Sequence, residues 1–234
     1  MYNGKKILAI IPARGGSKGI PHKNIKEVNG RPLIAYSIGE AKKSRYIDRL
    51  IISTENKQIA EVGKKFGADV PFMRPAALAQ DSTPGIEPIL HALDWFTQRK
   101  ERYDYVMCLQ CTSPLRTQEH IDQAIEGLID RNKDSIVSVC ESKVLPFWMK
   151  KISGGLLKDF LDSVPFYARR QDAPAVYQLN GAIYMARSEV LEARKNWYTE
   201  NTLPYIMDEE SSMDIDTLMD LKFLEFLLRE KKGC

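Results

Sequence analysis

The chain has 234 residues, 44% apolar and 28% charged, with a formal net charge of +3. This size fits one large α/β domain with a substantial core, residues 1–234, and the weak charge with no lysine-rich run argues against nucleic acid as a partner. No apolar stretch reaches the roughly 20 residues needed to cross a bilayer, so no membrane partner is expected. The start, Met1-Tyr2-Asn3-Gly4-Lys5-Lys6, lacks the apolar core and cleavage site of a secretory signal, and a cytoplasmic protein is expected. Residues 6–12 then form a run of β-formers that predicts a buried strand. A helix over 33–44 follows Gly30-Arg31-Pro32, Arg49 to Thr54 reads as a strand, and 56–66 as a helix closed by Gly67. Val70-Pro71-Phe72 is expected as a short third strand before an irregular loop, 73–83. Helices over about 84–100 and 117–131 alternate with strands at 105–109 and 135–139. Strands alternating with helices of this length predict βαβ units and a mostly parallel sheet.

The rhythm breaks between about 141 and 179, where Pro146, Gly154-Gly155, Pro165 and Pro174 interrupt short aromatic and β-branched pieces. Such a stretch is too short for a core of its own and reads as an inserted β-hairpin arm. Its Phe147, Trp148, Phe160 and Phe166 suggest that the arm packs on a second subunit, which makes a homodimer the expectation. The α/β pattern resumes at Gly181-Ala182-Ile183-Tyr184 and closes with a helix over 217–231 that places Leu218, Leu221, Leu224 and Leu228 on one face. Cys108 and Cys111 form a lone C-x-x-C within a strand and its exit, which favours core thiols over a metal site. Cys140 ends another strand, and Cys234 is expected to be an exposed terminus. His22, His91 and His120 are scattered and read as loop or helix-surface residues.

Chemistry concentrates in Ile7 to Asn24, where the first strand ends at Pro12 and Arg14-Gly15-Gly16-Ser17-Lys18-Gly19 begins. Glycines allow close backbone approach to a ligand, and Arg14, Lys18 and Lys23 supply charge for a polyphosphate. The spacing is neither that of a Walker A loop nor that of a dinucleotide fingerprint. Its place at the carboxyl end of a strand is where open α/β sheets bind ligands. Near the C-terminus, Asp214 and Asp216 point to one side if the chain is extended, and two such carboxylates suit Mg²⁺. The competing reading is that Asp216 only caps the last helix. The turn Leu109 to Thr117, the loop Arg74 to Thr83 and the segment Asn180 to Tyr184 are each either substrate contacts or plain connectors.

Together these segments resemble the acylneuraminate cytidylyltransferases over nearly the whole chain. The blocks are A-R-G-G-S-K-G-I-P-x-K-N, I-S-T-E, R-P-A-x-L-A-x-D, L-Q-x-T-S-P-L-R, N-G-A-I-Y and D-I-D. The resemblance implies a Rossmann-like nucleotidyltransferase fold, a dimer through the inserted arm, and Mg²⁺-dependent transfer of CMP from CTP to an acidic nine-carbon sugar. It places Arg14, Ser17, Lys18 and Lys23 around the triphosphate and Asn24 toward the nucleoside. Arg74 and the loop to Thr83 would line the base pocket. Gln110, Arg170, Asn180 and Tyr184 would face the sugar, Asp214 and Asp216 would hold the metal, and Arg14, Lys18 and the two aspartates would carry catalysis. Gln178 stands where some sialate-specific members have an arginine, and the segment around Lys150 aligns loosely. Legionaminate or pseudaminate are therefore alternative acceptors, and a non-catalytic sugar-nucleotide sensor on the same fold is the alternative of another class.

Overall fold

The apolar run near the N-terminus is fully buried in the computed structural model, which describes residues 1–17, 19–161, 167 and 169–231. In chain order the strands are β1 (Ile7–Pro12), β2 (Glu27–Val28), β3 (Arg31–Pro32), β4 (Arg49–Ser53), β5 (Tyr105–Cys108), β6 (Ser135–Glu141), β7 (Lys150–Ser153), β8 (Leu156–Asp159), β9 (Tyr177–Arg187) and β10 (Thr202–Ile206). The helices are α1 (Leu33–Lys43), α2 (Lys57–Lys65), α3 (Glu87–Thr97), α4 (Gln118–Asp130), α5 (Ser188–Arg194) and α6 (Leu218–Glu230). One six-stranded sheet has the order β10-β6-β9-β5-β1-β4. All its neighbours pair in parallel except β9, which runs antiparallel between β5 and β6.

Alternation along β1 explains the layers. Ile7, Ala9 and Ile11 pack with Ile34 and Ile38 of α1 and with Ile121, Ile125 and Leu128 of α4. Leu8 and Ile10 face the other way, onto Ile89, Leu93 and Phe96 of α3. Helices therefore cover both faces, as a buried parallel sheet requires. A smaller cluster matters more for function. Ile20, Val28, Leu33, Leu115 and Ile215 pack with Leu221 and Leu224 of α6. It ties the segment after the glycine loop, the Asp214 segment and the last helix into one body.

Three expectations are corrected. Residues 70–72 are not a strand: Asp69 makes a single bridge to Ile51, and Pro71 has no N–H to carry the ladder further. The inserted arm is shorter than 141–179, because Tyr177, Gln178 and Leu179 already pair with Glu141, Cys140 and Val139. What leaves the sheet carries the antiparallel hairpin β7–β8; Pro165 and Phe166 lie outside the described residues, as do Lys18 and Cys234. Third, Leu218 is exposed, while Leu221, Leu224 and the partly buried Leu228 face the cluster. Helix α5 and strand β10 were not expected at all. Among the described residues no helix is long and apolar enough to cross a membrane.

Candidate active site

The loop after β1 and the loop before α3 face each other across a cleft of about 310 Å³ at the carboxyl end of the sheet. Arg14, Ser17, Lys23, Asn24, Arg74, Thr83 and Gln110 all line it. Residues separated by up to ninety-six positions thus line one cleft. Arg14 forms an ion pair with Asp81 at 2.7 Å, which bridges the two loops over the cleft. Asn24 is buried and donates from Nδ2 to the Arg14 carbonyl at 2.9 Å, so it holds the loop's shape. Lys18 lies outside the described residues.

Glu55 organises the cleft wall. Its carboxylate accepts the Gly15 N–H at 2.6 Å and Nη2 of Arg74 at 2.8 Å. Burial pushes the Glu55 carboxyl up, but the Gly15 amide and the Arg74 guanidinium outweigh it and hold the group below its ordinary value. Arg74 is itself buried, and its Nε has no partner although the residue lines the cleft. A buried donor without a partner is an exception among native structures and marks this wall of the cleft.

The carboxylate pair sits beside this cleft. Ile215 is fully buried, and alternation turns Asp214 and Asp216 away from the core together. The Ile215 N–H donates to the Thr112 carbonyl at 2.9 Å, which fastens the segment to the cleft floor. Lys23 donates to the Ile215 carbonyl at 2.8 Å and to Asp216 at 3.0 Å. Gly19 lies so close that a Cβ would meet the Asp216 carbonyl at 2.5 Å. Only glycine lets the two segments touch there. Asp216 does not cap α6: Thr217 does, accepting the Asp220 N–H while Asp220 accepts the Thr217 N–H. That removes the capping role from Asp216 and leaves its carboxylate outside the helix. The Asp214 carboxyl is raised above its ordinary value by partial desolvation; Asp216 adds to the rise, and Thr112 and Lys23 oppose it.

The residues expected to face the sugar are less gathered. Tyr184 is partly buried beside Trp197, with its hydroxyl pushed up to about 12, first by desolvation and also by nearby Tyr198, Cys108 and Asp214. Asn180 is buried, and its amide is committed to Ser138, Ala182 and Ser212. It shapes β9, and Gly181, at φ 72°, then brings the backbone against Gln110 Oε1. Arg170 lies apart from the cleft in a recess with Glu141, Lys143 and Tyr177. It donates to the Ser142 carbonyl at 3.3 Å, while the Ser142 hydroxyl donates to Gln178, so Arg170 and Gln178 converge on one residue. Lys150 pairs with Asp159 across the β7–β8 hairpin. Cys108 and Cys111 are buried free thiols pushed up to about 12 by burial, which makes them inert core groups. Glu55, Asp81, Thr112 and Arg116 stand inside the motif blocks but carried no assigned role, and each has a partner in a distant segment: Gly15, Arg14, Ile215 and Ala182.

Solved structures share the arrangement of strands and helices. A CMP:2-keto-3-deoxy-manno-octonic acid synthetase complexed with CTP matches with a TM-score of 0.73 at 16% identity, covering 97% of this chain and 99% of that one. A 4-diphosphocytidyl-2C-methyl-D-erythritol synthase from Anaerococcus prevotii matches at 0.69 and 18%, over 97% and 100% of the two chains. The fold is that of the Rossmann-like nucleotidyltransferases.

Sequence similarity is more specific. The cytidylyltransferase family profile matches residues 8–232, and the chain belongs to that family. A CMP-N,N'-diacetyllegionaminic acid synthase of Legionella pneumophila is 37% identical over 95% of this chain and 96% of its own length. A pseudaminic acid cytidylyltransferase of Campylobacter jejuni is 31% identical, over 96% and 97%. An N-acylneuraminate cytidylyltransferase of Escherichia coli is 34% identical over 97% of this chain, which spans 53% of that longer protein. The chain is accordingly a CTP-using cytidylyltransferase, an enzyme of the nucleotidyltransferase class.

Proposed function

We propose that the protein transfers CMP from CTP to the anomeric hydroxyl of a nonulosonic acid, an acidic nine-carbon 2-keto sugar of the sialic, legionaminic or pseudaminic type. The observation that carries this reading is the junction of the basic loop with the Asp214 segment, where Lys23 bonds to Ile215 and Asp216 while lining the nucleotide cleft. The names of the three relatives support the sugar class.

Triphosphate oxygens would take Arg14 from Asp81 and meet Ser17, Lys18 and Lys23. Arg74 Nε, Asn24 and Thr83 would receive the nucleoside, with Gln110, Tyr184 and Arg170 toward the sugar and Asn180 positioning β9. The anomeric hydroxyl oxygen attacks the α-phosphorus and gives up its proton to solvent, the bond from the α-phosphorus to the oxygen it shares with the β-phosphate breaks, and pyrophosphate leaves. In such a transfer the side chains act chiefly by in-line positioning and by neutralising phosphate charge. Asp214 and Asp216 fit Mg²⁺: they share a side, neither caps a helix, and no described cluster of three or more His, Cys, Asp or Glu offers an all-protein cage. Mg²⁺ takes one or two carboxylates and completes its shell with water and phosphate oxygens, adding positive charge at the triphosphate. Because the substrate is CTP, the cytoplasm is the compartment we propose.

The test is pyrophosphate release with CTP fixed and N-acetylneuraminate, N,N'-diacetyllegionaminate, pseudaminate and 3-deoxy-octulosonate in turn. A higher kcat/KM for the nine-carbon acids is expected, with legionaminate competing well because Gln178 offers a neutral group at the sugar side. Preference for the eight-carbon acid or for a phosphorylated sugar would overturn the acceptor assignment.

A further inference from the structure

Arg116 ends the turn after β5 and is 1% exposed. Its Nη1 donates to the Ala182 carbonyl at 2.7 Å and to the Gln110 carbonyl at 3.3 Å. Nε and Nη2 are buried without partners, and no carboxylate among the described residues forms a salt bridge with it. The titratable groups within its electrostatic reach are the Cys111 and Cys108 thiols, Glu40 and His120, and none of them bonds to it. Burial lowers its pKa to about 10, which leaves it a cation at neutral pH. Holding an unpaired cation out of water costs several kcal/mol, so a plain structural arginine would be expected to bring a carboxylate with it.

Arg116 does not line the cleft itself, but it lies behind residues that do. Cys108, Gln110 and Cys111 form the cleft floor, and Cys111 stands within electrostatic reach of both Arg116 and Lys23. The two carbonyls that Arg116 clamps belong to Gln110 and to the residue after Gly181, whose backbone abuts Gln110 Oε1. We propose that Arg116 is a positioning residue of the acceptor site: it locks Gln110 to β9, and its unbalanced charge beneath the floor is the electrostatic partner of the acceptor's carboxylate. This rests on the acceptor reading above.

Arg116→Met deletes the charge and keeps much of the length; Arg116→Lys keeps the charge and loses the fork. Both are compared with wild type in steady-state pyrophosphate release with N-acetylneuraminate and N,N'-diacetyllegionaminate, together with thermal melts. Arg116→Met is expected to raise the acceptor KM about tenfold, the size of one charge acting through protein, while the CTP KM stays within about twofold. Arg116→Lys should recover most of that loss, staying within about threefold of wild type because the charge is retained. Equal losses in the two variants, a parallel rise in the CTP KM, or a lower Tm with unchanged acceptor KM would each overturn the proposal. If the Met variant does not fold, the Lys variant decides alone, and an acceptor KM beyond threefold overturns it. Wild type inactive with every nonulosonic acid overturns the acceptor reading and this inference together; an active wild type with insensitive variants overturns this inference only.

Discussion

At the scale of single residues, the site is built from charges that hold one another until a ligand arrives. Glu55 is the hinge of this arrangement, since one carboxylate serves both the Gly15 amide and buried Arg74. Glu55→Gln leaves Arg74 without its counter-charge, at a cost of about 2 kcal/mol, and should raise the CTP KM. Because the folded-state pKa of Glu55 is lowered, its stabilisation is complete above the ordinary glutamate range and disappears as pH falls through the folded value. Urea melts from pH 7 down to 3 should therefore show wild type and Glu55→Gln converging at the acid end; a constant gap would assign the loss to shape, not charge. Asp214 has the opposite sign. Its raised pKa means that ionisation at neutral pH works against folding, so Asp214→Asn in metal-free buffer should melt no lower than wild type. Activity with Mg²⁺ should nonetheless fall by about 10²-fold or more, and Asp216→Asn should behave likewise. Normal turnover in both variants would remove the metal assignment.

At the scale of elements, the start of α6 has its cap at Thr217 and leaves the Asp216 carboxylate outside the capping bonds. Thr217→Ala should cost about 1 kcal/mol and lower Tm by roughly 2–4 °C with turnover almost unchanged, read by calorimetry alongside the assay. Loss of turnover at unchanged Tm would mean that Thr217, not Asp216, touches the reacting groups. Long elements were legible because their periodicity is strong, as in β1, α1, α4 and α6. Two prolines show where legibility stopped. Pro204 sits inside β10, tolerated because β10 is the sheet's edge, whereas Pro71 ends pairing after one bridge. Composition alone does not distinguish them, since the outcome depends on where each segment meets the sheet. Helix α5 is too short to display a period. The site divides in the same way. Arg14, Ser17, Lys23, Asn24, Arg74, Thr83 and Gln110 stood out through motif and resemblance, and the fold gathers them. The partnerships of Glu55 with Gly15, Thr112 with Ile215 and Arg116 with Ala182 join segments that no local spacing connects.

At the scale of the whole molecule, the hairpin β7–β8 is the part that a monomer explains least. All eight of its strand residues are exposed, and Ile152, Leu156 and Leu157 are 80%, 65% and 71% accessible, with Phe160 and Trp148 beside them. A two-stranded hairpin with such an apolar surface is marginal alone in water and gains stability when a partner covers it. We propose a second copy of the chain as that partner, because two-fold self-association is the commonest way to bury such a patch. The arm's base also carries Arg170 and Gln178, held together by Ser142 and apart from the nucleotide cleft. Assembly would therefore act on the sugar side more than on CTP. Light scattering at micromolar concentration should report a dimer for wild type and a monomer for Ile152→Asp/Leu157→Asp, with no loss of helical circular dichroism. The monomeric variant should keep its affinity for CTP, measured by calorimetry, while its acceptor KM rises at least about tenfold, the equivalent of about 1.4 kcal/mol of lost binding. A wild-type monomer with full activity would rule out the arm as an interface, and a monomeric variant with unchanged acceptor KM would confine the arm to assembly alone.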